Sequence, residues 1–240
     1  MKKNKKSMII LCGGKGKRMG KITQTIPKPM IKIGKKTILE HKLKYYKSQN
    51  IQNFIFCLGY KSEIIKNFLK RKKIKSKNID SGINAGILKR IFKAKELIQK
   101  NTLISYGDTL AQINFNSLIN SHKKSKNLIT LVAAPIKNPF GLLNWNKNKR
   151  AIKFEEKPIL NHFIGYAVIN PEIFKILSKK IINMGDGKGM VEAIKLLIQK
   201  KEVNIYTFDD LQITINSPEE LKYAKLNYKK YFTLDEKFKK

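Results

Sequence analysis

The sequence predicts an α/β fold, a three-layer α/β/α sandwich built on a mostly parallel sheet. Short apolar runs such as Ser7 to Cys12 and Thr102 to Tyr106 end in Gly-Gly and Gly-Asp, as buried parallel strands feeding loops do. Segments of helical spacing stand between those runs, so strand and helix alternate along the chain. The 240 residues, 42% of them apolar, suit one large domain with a full core over 1–231, followed by a polar basic tail at 232–240.

Each element has its own signal. Ser7 to Cys12 reads as the first strand, Ile38 to Ser48 as a helix and Phe54 to Leu58 as a second buried strand. Ser62 is placed to cap a helix running to about Leu69, and Lys70 to Lys77 reads as an exposed connector. A helix is expected over Ala85 to Gln99, a strand over Thr102 to Tyr106, a helix over Asn116 to Lys124 and a strand over Leu128 to Ala133. Polar residues at Asn146 to Lys149 between two strand-like runs predict a hairpin. Phe163 to Ile169 follows as a strand, then a helix opening at Pro171, a helix over Met190 to Gln199 and a strand over Val203 to Phe208. Ser217-Pro218-Glu219-Glu220 combines an N-cap Ser, Pro at the first helical position and Glu three residues after the cap.

The formal charge of +34 invites a nucleic-acid reading, but all except four of the 51 basic residues are lysines, spread along the whole chain. Base-reading surfaces favour the planar fork of arginine, so the lysines read as solvated faces and no specific nucleic-acid partner is expected. No apolar run reaches the roughly 20 residues that span a bilayer, and Met8 to Cys12 is too short for a secretory signal. The chain reads as soluble and cytoplasmic, with no membrane partner. Cys12 and Cys57 sit in apolar runs as reduced thiols without metal-ligand spacing.

The chemistry-bearing residues begin directly after the first strand. Leu11-Cys12-Gly13-Gly14-Lys15-Gly16-Lys17-Arg18-Met19 is a glycine loop whose backbone N–H groups can approach phosphate closely. It is neither a P-loop nor the dinucleotide fingerprint, since Met19 stands where the latter requires a third glycine. By itself it is equally a plain turn. Pro27-Lys28-Pro29 places a lysine between two rigid residues, or else forms an extended linker with an exposed lysine.

Together these residues resemble the sugar-1-phosphate nucleotidyltransferases, closest in motif to enzymes of the glucose-1-phosphate cytidylyltransferase type. The family signature, Leu-x-Gly-Gly-x-Gly-x-Arg-Leu/Met and then Pro-Lys-Pro-Met/Leu, is met by Leu11, Gly13, Gly14, Gly16, Arg18 and Met19, then Pro27 to Met30. Lys17 departs from it, since the family often has Thr there. Leu58-Gly59-Tyr60-Lys61, Asp80-Ser81-Gly82 with Ala85 to Arg90, Tyr106-Gly107-Asp108 and Phe154-Glu155-Glu156-Lys157-Pro158 continue the resemblance along nearly the whole chain.

The resemblance implies a Rossmann-like mixed sheet of the nucleotide-diphospho-sugar transferase type. It implies an enzyme of nucleotide-sugar and polysaccharide biosynthesis that joins a nucleoside triphosphate, CTP favoured, to a sugar 1-phosphate with Mg²⁺, releasing pyrophosphate. Arg18 would then neutralise the leaving pyrophosphate, Lys28 bridge the α-phosphate and the nucleophile, and Lys157 hold the sugar phosphate. Asp108 would bind the metal. Leu11, Gly13, Gly14, Gly16, Ser81, Gly82 and Gly107 would form the nucleotide subsite. Asn161, Gly165 and Tyr166 would line the sugar pocket with Lys157, with His162 at its border. Relatives commonly oligomerise, which implies a homo-oligomer.

One departure bears on the metal. The family usually has a second metal-binding aspartate just before the final helix, where this chain reads Thr214-Ile215-Asn216-Ser217-Pro218. Asn216 can offer a neutral carbonyl oxygen, or Asp209 or Asp210 can reach in. The missing charge also leaves open a non-catalytic nucleotide-sugar-binding relative on the same fold. Charge alone motivates a polyanion-binding protein.

Overall fold

The computed structural model describes residues 6–232. Residues 233–240 of the expected basic tail, and the first five residues, lie outside the described residues. Seven strands form the main sheet: β1 (Lys6–Leu11), β2 (Ile51–Leu58), β3 (Ser76–Asp80), β4 (Thr102–Tyr106), β5 (Ile129–Lys137), β6 (Ile159–Ile169) and β7 (Val203–Thr207). Their spatial order is β7-β5-β6-β4-β1-β2-β3. All neighbours run parallel except β6, which lies antiparallel between β4 and β5. The expected mostly parallel sheet with helices on both faces is what the chain builds.

Alternation along the central strands decides both faces. Met8 and Ile10 enter one apolar cluster and Ile9 the other; Phe54, Phe56 and Leu58 face the first, Ile55 and Cys57 the second. The first cluster is closed by helices α1 (Ile38–Ser48), α2 (Ser62–Arg71) and α4 (Phe115–Ser125). The second is closed by α3 (Ile87–Lys93) and α5 (Lys188–Gln199). Because β1 is covered on both sides, Met8, Ile9 and Ile10 are all fully buried, which is why the run reads as continuously apolar.

Several boundaries differ from the sequence reading. Ser62 does not cap α2: the N-cap is Lys61 at φ 51°, and Ser62 is the first helical residue. The expected connector after α2 ends in edge strand β3, whose polar sequence reflects exposure on the sheet rim. The helix expected over Ala85 to Gln99 stops at Lys93 and continues as a 3₁₀ turn, Lys95–Leu97. Where a helix is expected to open at Pro171, the chain makes two short helices before α5, Ile173–Ile176 and Lys179–Ile182. The final helix, α6 (Pro218–Phe232), begins as expected, with Glu220 N–H donating to Ser217 Oγ at 3.2 Å.

A third apolar cluster serves the functional end of the sheet. Met19, Ile31, Ile33, Ile38, Leu110, Ile213, Ile215 and Leu221 pack together, all with at most 5% exposure. It ties the glycine loop, the Pro-Lys-Pro segment, the turn after β4 and the start of α6 into one floor. Among the described residues no helix is long and apolar enough to cross a membrane.

Candidate active site

A cleft of about 660 Å³ opens over the C-terminal ends of β1 and β4. Its position follows from topology: the chain leaves β1 toward β2 on one side while β4 pairs on the other, so the loops diverge and leave a crevice. Loop residues 11–18 form one wall and residues 106–108 the floor. Lys28 and Pro29 close one end; segments 83–85 and 185–187 close the other. Leu11 to Arg18 line this cleft together with Gly107, while Met19 turns into the third apolar cluster.

Two glycines are there because nothing larger fits. Gly107 N–H donates to Leu11 O at 3.0 Å, and a Cβ at Gly107 would stand 2.6 Å from that oxygen and 2.9 Å from the Pro29 ring. A Cβ at Gly13 would stand 2.1 Å from the Arg90 guanidinium. Arg90 is 4% exposed and donates to Leu58 O at 2.5 Å, so it props the loop from beneath. Arg90 offsets its desolvation cost through the carbonyls of Leu58 and, at 3.5 Å, Ile83; the sequence showed it only within an expected helix and within the Ala85–Arg90 segment that resembles the family.

The charged centre is compact. Lys28 Nζ lies 2.9 Å from Asp108 Oδ2 and 3.4 Å from Asn216 Oδ1. Arg18 Nη2 donates to the same Asn216 oxygen at 2.9 Å. Pro27-Lys28-Pro29 is therefore no extended linker: Lys28 opens a 3₁₀ turn and is only 8% exposed. Asn216 is placed by its neighbours. Ile215 N–H donates to Asp108 O at 3.1 Å, and Glu220 Oε2 accepts from Asn216 N–H. Thr214 is occupied elsewhere, its Oγ1 3.3 Å from that of Thr109. Asp210 accepts from Leu211 N–H, and neither it nor Asp209 lines the cleft.

These positions suit a hard divalent cation. Asp108 and Asn216 turn oxygens toward one point, presently bridged by the Lys28 ammonium. Among the described residues no group of three or more His, Cys, Asp or Glu could hold a metal by itself. The donor set thus fits an ion of the Mg²⁺ kind, which takes one or two protein oxygens and completes its shell with phosphates and water.

Other expected residues stand apart. Lys157, at φ 45°, has its Nζ 3.5 Å from Glu156 Oε1 with two-thirds of its side chain exposed, and does not line the cleft. Asn161 is exposed on β6 opposite Pro135. His162 Nε2 meets Gln212 Nε2 at 3.0 Å. Gly165, at φ 79°, lets the Tyr106 ring pass 2.9 Å from where a Cβ would be. Ser81 and Gly82 form a turn in which Gly82 N–H donates to Asp80 Oδ1 at 3.0 Å; the cleft wall begins one residue later, at Ile83. A hydrogen bond from Ser62, aided by Gly82 N–H and Lys66, holds the Asp80 carboxyl below the usual carboxylate range.

Tyr166 is a core residue, 1% exposed. Its hydroxyl donates to Thr109 O at 2.8 Å and accepts from Lys42 Nζ at 2.8 Å; Lys42 also donates to Thr109 O. Lys42, fully buried on α1, thus anchors the turn that carries Asp108. Its only sequence signal is a lysine in the apolar stripe Leu39, Leu43, Tyr46. The sequence reading also missed Lys15, whose Nζ reaches Asn84 Oδ1 at 3.2 Å, and the segment Gly185-Asp186-Gly187, where Asp186 O accepts from Ile87 N–H at 2.8 Å.

Comparison with known proteins agrees with this geometry. The family model described as nucleotidyl transferase matches residues 7–212. A protein of Bacillus subtilis (strain 168) named probable glucose-1-phosphate cytidylyltransferase is 32% identical over 226 residues, covering 82% of this chain and 86% of the relative. The D-glycero-alpha-D-manno-heptose 1-phosphate guanylyltransferase of Campylobacter jejuni is 29% identical over 230 residues, covering 91% and 98%. The crystal structure of HddC from Yersinia pseudotuberculosis superposes with a TM-score of 0.72 at 20% identity, covering 93% of this chain and 99% of that one. HddC has also been solved complexed with GMP-PN. With the family model matched over residues 7–212, the chain belongs to the nucleotidyl transferase family.

Proposed function

We propose that this chain is a sugar-1-phosphate nucleotidyltransferase that joins a nucleoside triphosphate to a sugar 1-phosphate and releases pyrophosphate. The observation that carries the reading is the gathering of Arg18, Lys28 and Asp108 in a glycine-walled cleft, with Asn216, outside the cleft lining, bonded to both cations. Both substrates are anions, so the barrier to their encounter is largely electrostatic, and catalysis needs positioned cations more than an acid or base.

The step is attack by an ionised oxygen of the sugar phosphate on the α-phosphorus. A new P–O bond forms as the bond from the α-phosphorus to the bridging oxygen breaks, and pyrophosphate leaves with that electron pair. Lys28 holds the α-phosphate and the incoming oxygen together, and Arg18 neutralises the leaving pyrophosphate. Glycine-loop N–H groups orient the phosphate chain. Asp108 and Asn216 would hold a Mg²⁺ ion, which would supply Lewis-acid stabilisation of the charge on the phosphates. We assign Lys157 to the sugar phosphate; its exposed pairing with Glu156 costs little to exchange.

CTP is the proposed donor, on the motif resemblance and on the named activity of the Bacillus relative. The Campylobacter relative makes GTP the competitor to test. Pyrophosphate release is to be followed with CTP, GTP, UTP and dTTP against a panel of sugar 1-phosphates and Mg²⁺. Turnover with CTP supports the full reading; turnover with GTP alone moves the base. Nucleotide binding without turnover on any pair would sink the enzymatic reading.

A further inference from the structure

The Lys28 ammonium occupies the point between the two oxygens that fit a hard cation. It lies 2.9 Å from Asp108 Oδ2 and 3.4 Å from Asn216 Oδ1. Arg18 Nη2, at 2.9 Å, sets a second positive charge against the same Asn216 oxygen. The mounts on either side are fixed. Met30 N–H donates to Pro27 O at 2.8 Å and Ile31 N–H to Lys28 O at 3.1 Å, which pins the backbone of the lysine turn. Ile215 N–H pins Asp108 through its backbone oxygen at 3.1 Å. Between these mounts the charge rides on a flexible four-carbon stem, which can change partner without moving the chain.

The surrounding field has one dominant sign. Among the side chains lining the cleft, Lys15, Lys17, Arg18, Lys28 and Arg90 stand against two carboxylates, Asp108 and Asp186, and Asp186 belongs to the far end. A bare dication entering here is repelled, and it finds the Asp108 carboxylate already paired. A dication carried by a triphosphate arrives inside a net anion and is attracted. Its phosphates also offer Lys28 and Arg18 new partners in exchange for Asp108 and Asn216.

We propose that Lys28 guards the metal position: it keeps Asp108 and Asn216 from free divalent cations and releases them only to a cation that arrives with a triphosphate, whose α-phosphate takes the ammonium. The Lys28–Asp108 contact is thus inhibitory toward metal alone, and it couples metal binding to nucleotide binding in both directions. The inference rests on the proposed activity for the identity of the displacing anion; the exclusion of free metal rests on the contacts themselves. An ion pair that served stability alone would produce no such coupling.

Mn²⁺ is the probe, its unbound fraction read by electron paramagnetic resonance on the full chain. Titrations are run without nucleotide and with the non-cleavable α,β-methylene analogues of CTP and GTP. The unsubstituted protein should bind Mn²⁺ weakly alone and at least about tenfold more tightly with an analogue. Lys28→Met keeps the stem and removes the charge. It should bind Mn²⁺ alone at least about tenfold more tightly than the unsubstituted protein, and lose most of the enhancement by nucleotide. Lys28→Arg restores the charge and should return metal binding to its original level, which a role in packing alone would not predict. Adding Asp108→Asn to Lys28→Met should abolish the gain. Circular dichroism checks the fold of each variant, and the comparison of the unsubstituted protein with and without analogue decides the matter if a variant folds poorly. Three results would each overturn the proposal: Lys28→Met binding Mn²⁺ alone no better than before, the unsubstituted protein binding it equally well with and without an analogue it binds, or a gain that survives Asp108→Asn. Failure of both analogues to bind, with the Lys28→Met gain intact, would support the exclusion of free metal and overturn the nucleotidyltransferase reading instead.

Discussion

Lys28 and Asp108, 80 residues apart in sequence, meet at 2.9 Å with side chains only 10% and 23% exposed. The pair is shielded enough to be directional and open enough to exchange partners when phosphate arrives. Removing Lys28 leaves the Asp108 carboxylate facing the proposed polyanion, and removing Asp108 takes away the charged oxygen proposed for Mg²⁺. Lys28→Ala and Asp108→Ala should each lower kcat for pyrophosphate release by at least about 100-fold, the scale seen when a preorganised electrostatic group is lost. Circular dichroism should show both variants folded. Near-normal turnover in both would remove the proposed mechanism.

Asn216 offers a neutral oxygen where a carboxylate would bind a cation more strongly, and Arg18 and Lys28 flank it. Asn216→Asp should therefore be tolerated and should lower the Mg²⁺ concentration for half-maximal activity several-fold. Asn216→Ala should raise it. A Mg²⁺ titration of turnover, with Mn²⁺ binding measured separately, checks both directions.

Gly13 leaves room for the guanidinium beneath it. Gly13→Ala would drive a methyl group into Arg90 at 2.1 Å, and overpacking of this kind costs about 1–3 kcal/mol. Thermal unfolding should show the loss, and nucleotide affinity should fall with it because the loop shifts. An unchanged melting temperature would mean that Arg90 has another place to go.

Lys42 brings a charge into the core against the carbonyl of Thr109. Lys42→Met keeps most of the volume and leaves Tyr166 as the donor to that carbonyl. The expected outcome is a small change in stability with a larger fall in kcat than in KM, because the Asp108 turn loses one of its two anchors. Denaturant titration beside steady-state kinetics separates the effects.

Burial pushes the imidazoles of His41 and His122 below the ordinary histidine value of 6.5, so both stay neutral in the fold near neutral pH. Between pH 6.5 and their lowered folded values the unfolded chain binds more protons, so stability falls as pH falls through that window and is flat above about pH 7. The depressed carboxyls Asp80 and Glu40 titrate below it and do not contribute there. Urea unfolding at pH 7.5, 6.5 and 5.5 should show the decline, and His41→Gln with His122→Gln should flatten it.

The sequence revealed what repeats locally and hid what depends on distant partners. The Met8–Leu11 part of β1 was readable because cover on both faces demands apolar residues, whereas β3 was hidden because a rim strand can be polar. Arg18, Lys28 and Asp108 could be picked out because the motifs around them resemble the family's in type and order; glycine and proline punctuation alone fits plain turns as well. Arg90 and Lys42 could not: a buried cation looks like any surface lysine or arginine until the carbonyls that receive it are seen. Asn216 was readable as a position and not as a contact, since its geometry comes from Asp108 O and Glu220. The strands Leu142–Trp145 and Ala151–Glu155 were legible as a hairpin, but exposure of their apolar residues is a property of the packed molecule.

The floor under the cleft is shared by residues from Met19 to Leu221, so its last parts lie close to the chain's final helix. A growing polypeptide that has already emitted the glycine loop and Lys28 still lacks the Ile213–Leu221 wedge and the amide of Asn216. During synthesis the nucleotide pocket therefore cannot mature in stages. The cleft is complete only once residues 213–221 have been added, and a chain stopped before them carries the signature loop without its floor.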